Sequence, residues 1–280
     1  MIDFPGRRTG GHIHDLGLHR SGWQVHDLMA HRRPHQFDAD TYAEDLLTGM
    51  SAPASDVAAV LANCAAGHIA QALVARLRPP GDTAPPLILF DSGPARAQDV
   101  HAEVLTALRQ FGGSRLTALL HDGQEPGPLT TKTLSRSPEH VHQVIRESLL
   151  RFTADIYLAD LGDVAHAVEA ATPVVDSFTD WLIHLIAAHN HTAPGWNGDV
   201  LHLVSRGHSY RADWPGARTT RTAVLDLEHD ALFAAPETRH AVLSHLDALT
   251  GKEVRSEPRP HVDRPVRREL GPFPGPSGGQ

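Results

Sequence analysis

A single cysteine among 280 residues leaves no partner for an internal disulfide. That fits a reducing compartment, and a cytoplasmic protein is the expectation. No apolar run reaches the roughly 20 residues that a membrane-spanning helix needs. The opening Met1–Phe4 and Pro5-Gly6-Arg7-Arg8 also lacks the apolar stretch of a signal peptide. An excess of positive charge is missing too: 25 Lys and Arg face 33 Asp and Glu, a formal charge of −8. General nucleic-acid binders are usually basic, so neither nucleic acid nor membrane is an expected partner. What remains is 41% hydrophobic and 21% charged, ordinary for a globular enzyme and long enough for one large core.

Short apolar segments alternate with helical patterns, which favours an α/β fold with a mostly parallel sheet. Met1–Phe4 and Trp23–Met29 read as strands. Asp38–Met50 reads as a helix, with Phe37, Tyr42, Leu46 and Leu47 in a stripe and Asp38 or Asp40 as cap. Asp56–Asn63 reads as a strand, Ala65–Leu77 as a helix and Leu87–Phe90 as a buried strand ending in Asp91-Ser92-Gly93-Pro94. Residues 95–194 look helical, with Ser137-Pro138 and Thr172-Pro173 each opening a helix by N-cap and proline. Leu105, Leu108, Val144, Ile145, Leu149, Phe178, Leu182 and Leu185 form stripes there, which usually face a core rather than a substrate. Strand patterns return at Asp199–Ser205 and Thr222–Leu227, before a last helix from Pro236 to Leu249. The division expected is a core of 1–94 and 195–250, a helical lid of 95–194, and a disordered Pro- and Gly-rich tail of 251–280.

Cys64 lies between a strand and a helix, in Ala62-Asn63-Cys64-Ala65-Ala66 followed by Gly67. A nucleophile elbow needs such a turn, because tight geometry tolerates only small neighbours and the helix start turns N–H groups toward an oxyanion. A helix N-terminus also lowers a thiol pKa. The strict G-x-S-x-G pattern fails, since alanines stand for both glycines, and a lone cysteine among alanines is ordinarily a small buried hydrophobe.

Residues 56–94, DVAAVLANCAAGHIAQALVARLRPPGDTAPPLILFDSGP, resemble the core of thioesterases that release chains from polyketide synthases and nonribosomal peptide synthetases. Leu225–Pro236, LDLEHDALFAAP, is similar to the family's histidine segment, and Trp214 sits where many members carry a tryptophan. The resemblance covers 38–94 and 195–250, and 1–30 only loosely. It implies an α/β-hydrolase fold with a helical lid, and a triad of Cys64 as nucleophile, Asp91 as acid and His229 as base. It also implies an oxyanion hole from the backbone N–H groups of Ala65 and Gly6. The substrate implied is an acyl or peptidyl chain on the phosphopantetheine of a carrier protein, with no cofactor or metal. Departures are Cys for Ser, the two alanines, and Glu228 where a glycine usually precedes the histidine.

A cysteine nucleophile would make the acyl-enzyme a thioester, so loading is nearly thermoneutral and release by cyclisation or transfer competes with hydrolysis. Three other readings stand beside this one. The chain could shuttle acyl or aminoacyl groups between carrier proteins. It could be a metal-dependent hydrolase using His12-x-His14 and His189-x-His191. It could be an inert thioesterase-shaped binding protein, with Asp91 merely starting a turn.

Overall fold

The run Leu87–Phe90, LILF, has no polar side chain to offer water, and all four residues are fully buried in a central strand. The computed structural model describes residues 1–4, 11–30, 32–77, 84–121 (111–121 as backbone helix only), 129–192 and 195–251. In chain order the elements are α1 (Ala39–Thr48), β1 (Val60–Asn63), α2 (Ala66–Leu77), β2 (Leu87–Phe90), α3 (Ala97–His121), α4 (Thr131–Arg136), α5 (Pro138–Leu161), α6 (Val164–His189), β3 (Asp199–Val204), β4 (Thr219–Val224) and α7 (Pro236–Thr250). Among the described residues the sheet has four strands in the order β1-β2-β3-β4, all parallel. The class is the α/β architecture that the alternating pattern predicts.

Parallel strands need cover on both faces, and their side chains alternate between the two layers. Leu87 and Leu89 join a core with α1, α2 and the C-terminal half of α6. Ile88 and Phe90 join a second core with the 3-10 turn Ile13–Leu16, Phe233 and α7. Each such side chain contributes about 1.5–3 kcal/mol through burial, so register is strongly fixed.

Every regular element described between β2 and β3 is a helix. Leu108, Ile145, Leu149, Phe178, Leu182 and Leu185 are core, as their stripes predict, while Val144 is exposed. The end of α6 shares the core of α1 and α2.

Several expectations need correction. Trp23–Met29 forms no strand: Trp23 and Val25 pack on the α7-side core, and its long-range backbone bonds are Leu28 N–H to the Met1 carbonyl and the Met1 amino group to the His26 carbonyl. Met1–Phe4 shrinks to one parallel bridge, Ile2 with Ala62. The Asp56–Asn63 strand begins only at Val60, after a 3-10 turn at Ala54–Asp56. The last strand lies at Thr219–Val224, three residues earlier than its pattern predicts. Thr172-Pro173 opens nothing, because α6 starts at Val164 under an Asp163 cap and runs through the proline. Pro173 leaves the helix one N–H short there, and the Thr172 hydroxyl donates to the Val168 carbonyl at 2.7 Å. Ser137-Pro138 does open α5. The expected tail lies outside the described residues, apart from Gly251, which ends α7 in a left-handed conformation.

Candidate active site

Two adjacent strands end in the same unusual way. The Cys64 N–H donates to the Phe90 carbonyl at 2.8 Å, carrying the ladder one residue past β1. The chain then turns sharply with φ +51° at Cys64 and enters α2 at Ala66. The Asp91 N–H donates to the Leu203 carbonyl at 3.0 Å, and Asp91 turns with φ +41°. Left-handed backbone costs an L-residue roughly 1–2 kcal/mol, so two such non-glycine turns side by side are costly. The small residues of the elbow have a cause: Gly67 faces the Trp214 ring and Ser92, and a Cβ there would come within 2.6 Å of the ring. Trp214 is itself buried, its indole N–H donating to Gln71 Oε1 at 2.9 Å.

The Asp91 carboxylate is buried and used at both oxygens. Oδ1 accepts the Ser205 N–H at 2.7 Å, and Oδ2 lies 2.5 Å from Nδ1 of His229. Burial alone would push this carboxyl up. The hydrogen bonds from His229 and Ser205, with His208 nearby, outweigh it and hold the group below its ordinary value. His229 begins a 3-10 turn, His229–Ala231, beyond β4, and its side chain is 44% exposed. A carboxylate at Nδ1 holds the ring proton there and leaves the lone pair of Nε2 facing away, the tautomer a general base requires.

The structure therefore brings Asp91 and His229 into direct contact and sets Cys64 on the neighbouring strand end. Ala65 stands buried in the turn just before α2. Gly6 lies outside the described residues. Glu228 points to solvent near Arg206, with 3.5 Å between Oε1 and Nη1.

Sequence reading missed two imidazoles around the acid. His202, on β3, accepts the Ser92 N–H at Nε2 (3.2 Å) and is pushed down to about 4 by burial, then by His208. His208 reaches from the β3–β4 connection, its Nε2 3.1 Å from the Ser92 carbonyl and its Nδ1 3.8 Å from Asp91 Oδ1. Among 21 histidines nothing local marks either one. The proposed metal ligands are dispersed: His12 faces Asp3, His14 stacks with His19, and His191 stacks with His68. Among the described residues no three His, Cys, Asp or Glu side chains group to hold an ion. No described helix is long and apolar enough to cross a membrane.

No protein-family model matches the sequence, and no curated protein matches it. Solved structures with some likeness, each 14% identical, include a four-domain nonribosomal peptide synthetase bound to AMP and glycine. That match has a TM-score of 0.41 and takes in 76% of this chain but 16% of the synthetase, so the chain spans about a sixth of its length. A second is the Vlm2 thioesterase domain with genetically encoded 2,3-diaminopropionic acid, bound with a dodecadepsipeptide (TM-score 0.39, 79% and 78% of the two chains). A third is a mutant of a protein described as an epoxide hydrolase from Pseudomonas aeruginosa (TM-score 0.42, 78% and 75%). At these scores the functional reading rests on the site itself. That site sets a strand–turn–helix turn at Cys64 after β1, Asp91 after β2 and His229 after β4, in that order along the chain.

Proposed function

We propose that the chain is a thioesterase-like acyl-transfer enzyme that takes an acyl or peptidyl chain from a carrier-protein phosphopantetheine thioester onto Cys64. The observation that carries this is the 2.5 Å Asp91–His229 pair at the strand end beside the Cys64 turn. In this reading Nε2 of His229 takes the thiol proton, and the thiolate attacks the thioester carbon. Asp91 stabilises the imidazolium, which then protonates the departing pantetheine thiol. The developing oxyanion meets the Ala65 N–H at the start of α2, with Gly6 as the second donor expected from the sequence. The division into core and lid belongs to the same proposal, with α3, α4 and α5 shaping a chamber that limits water.

Release by cyclisation or hydrolysis is the favoured outcome in polyketide or nonribosomal peptide assembly, and delivery to a second carrier is the alternative. Intact-protein mass spectrometry with a panel of acyl-pantetheine thioesters tests the first half. The wild type should gain the acyl mass and Cys64→Ala should not. Chasing the adduct with water, an amine or a carrier thiol then separates hydrolase, cyclase and shuttle. No adduct and no turnover across the panel would leave a binding protein of this shape.

A further inference from the structure

A second carboxylate–imidazole pair flanks the elbow on the side away from Asp91. Ile2 pairs in parallel with Ala62, which sets Asp3 beside Asn63, the residue before Cys64. The Asp3 side chain is 3% exposed. Its Oδ1 accepts the Asn63 amide at 3.1 Å, and its Oδ2 accepts the Ile13 N–H at 2.8 Å and faces His12 Nδ1 at 3.3 Å. His12 itself is 41% exposed. Adjacent strands run about 4.8 Å apart, so β1 ends between two buried carboxylates, Asp91 on one side and Asp3 on the other.

Both imidazoles also arrive from one layer. Asn63 lies two residues after Leu61, whose side chain joins the core of Ile13, Leu16 and Phe233. Gly11, next to His12, approaches Phe233, four residues beyond His229: a Cβ on Gly11 would meet Phe233 Cβ at 3.2 Å. A purely structural Asp3 would already be satisfied by one hydrogen bond on each oxygen, from Asn63 and Ile13. The half-exposed histidine adds what a buried anchor does not need: a ring whose Nδ1 lies 3.3 Å from a carboxylate oxygen while the side chain keeps 41% of its surface in solvent.

We infer that His12, positioned by Asp3, is a second general base that serves the acceptor rather than Cys64. The inference rests on the acyl-transfer reading above and deepens it. His229 handles loading and ends that half-reaction neutral. An amine acceptor then attacks the thioester carbon, forming a C–N bond. The C–Sγ bond breaks, and the electron pair leaves on Cys64 as thiolate. The nitrogen loses its extra proton to His12 Nε2, and that proton returns to the thiolate through solvent, restoring the free thiol. An enzyme with separate bases for its two half-reactions favours amines and alcohols, which lean on a base during attack, over exchange with another thiol, which ionises far more readily by itself.

The test uses the full-length protein loaded from the same panel of acyl-pantetheine thioesters and discharged with glycinamide, both steps timed by intact mass. His12→Ala should load at the wild-type rate and discharge about 10²-fold more slowly. Added imidazole should restore part of the discharge rate, which a structural role would not allow. His12→Gln should behave alike without rescue, guarding against a cavity artefact. An adduct that His12→Ala discharges at the wild-type rate overturns this inference alone, and so does equal slowing of loading and discharge without imidazole rescue. No wild-type adduct across the panel overturns the proposed function, and this inference with it.

Discussion

Five histidines of this chain mark two kinds of setting, and the contrast bears on which imidazoles are placed to act as a base. At the carboxyl edge of the sheet His229 and His12 each rest on a buried aspartate and keep one face in solvent. By contrast His68 and His184 on their helices and His202 on β3 are buried, and none hydrogen-bonds a carboxylate. His184 packs among Phe4, Tyr42 and Trp181, and burial pushes it down to about 3. His68 lies flat on His191, 3.5 Å between ring centres, and burial and that neighbour push it down to about 3. An imidazole becomes a base through its partner and its access to solvent, and the interior rings have traded both for packing.

Replacing the edge group should cost activity and spare the fold. His229→Ala and Asp91→Asn should each slow acyl loading by about 10³–10⁴-fold, the scale of losing a triad member. The His229→Ala melting temperature should stay near wild type, since that side chain is 44% exposed. Stopped-flow loading and thermal melts, run together, check both halves. A His229→Ala protein that loads normally would dissolve the contrast.

The interior rings should announce themselves through pH instead. Their folded-state pKa values lie below the unfolded value, so the unfolded chain binds more protons on the acid side. Their contribution is fully present above about pH 6.5 and is lost as pH falls toward about 4 for His202 and about 3 for His68 and His184. At pH 5 each should have given up about 2 kcal/mol. Urea midpoints measured from pH 7.5 to 5 should fall steadily. A flat profile would mean that these rings already carry charge in the native state.

Smaller effects sharpen the boundary between the regions. Gly67→Ala would drive a methyl into Trp214, and overpacking of that kind costs on the order of 1–3 kcal/mol. Because Gly67 is three residues from Cys64, loading should slow as well, which a melt paired with a loading assay would show. Arg76→Ala removes the contacts to Asp40 (2.8 Å) and Glu44 (3.2 Å) on the outside of α2. Being partly exposed, that pair of contacts should be worth less than about 1 kcal/mol, with activity unchanged.

What could be read ahead of the structure follows the same division. LILF and VLAN announce buried strands because their apolar runs have no other use, and the small residues after them announce a tight turn. The turns at Cys64 and Asp91 were legible for that reason. The approach of His229 to Asp91 was indicated only by the likeness of LDLEHDALFAAP to a family segment, because 138 residues separate the two. The Asp3–His12 pair was not legible. Its two residues meet because a single bridge at Ile2 sets Asp3 beside Asn63, and no local pattern encodes that. Trp23–Met29 misled because alternation reports a buried face, and a core can bury that face without a ladder.

The left-handed turn at Cys64 has a consequence for anyone engineering heat resistance into this protein. Glycine at that position would relax the backbone and remove the proposed nucleophile in one change, so a screen scored on melting temperature alone would reward it. The same holds in weaker form for any substitution that lets the strand run on straight. Thermal resistance and turnover therefore pull in opposite directions at this residue, and a stabilisation campaign has to be scored on both.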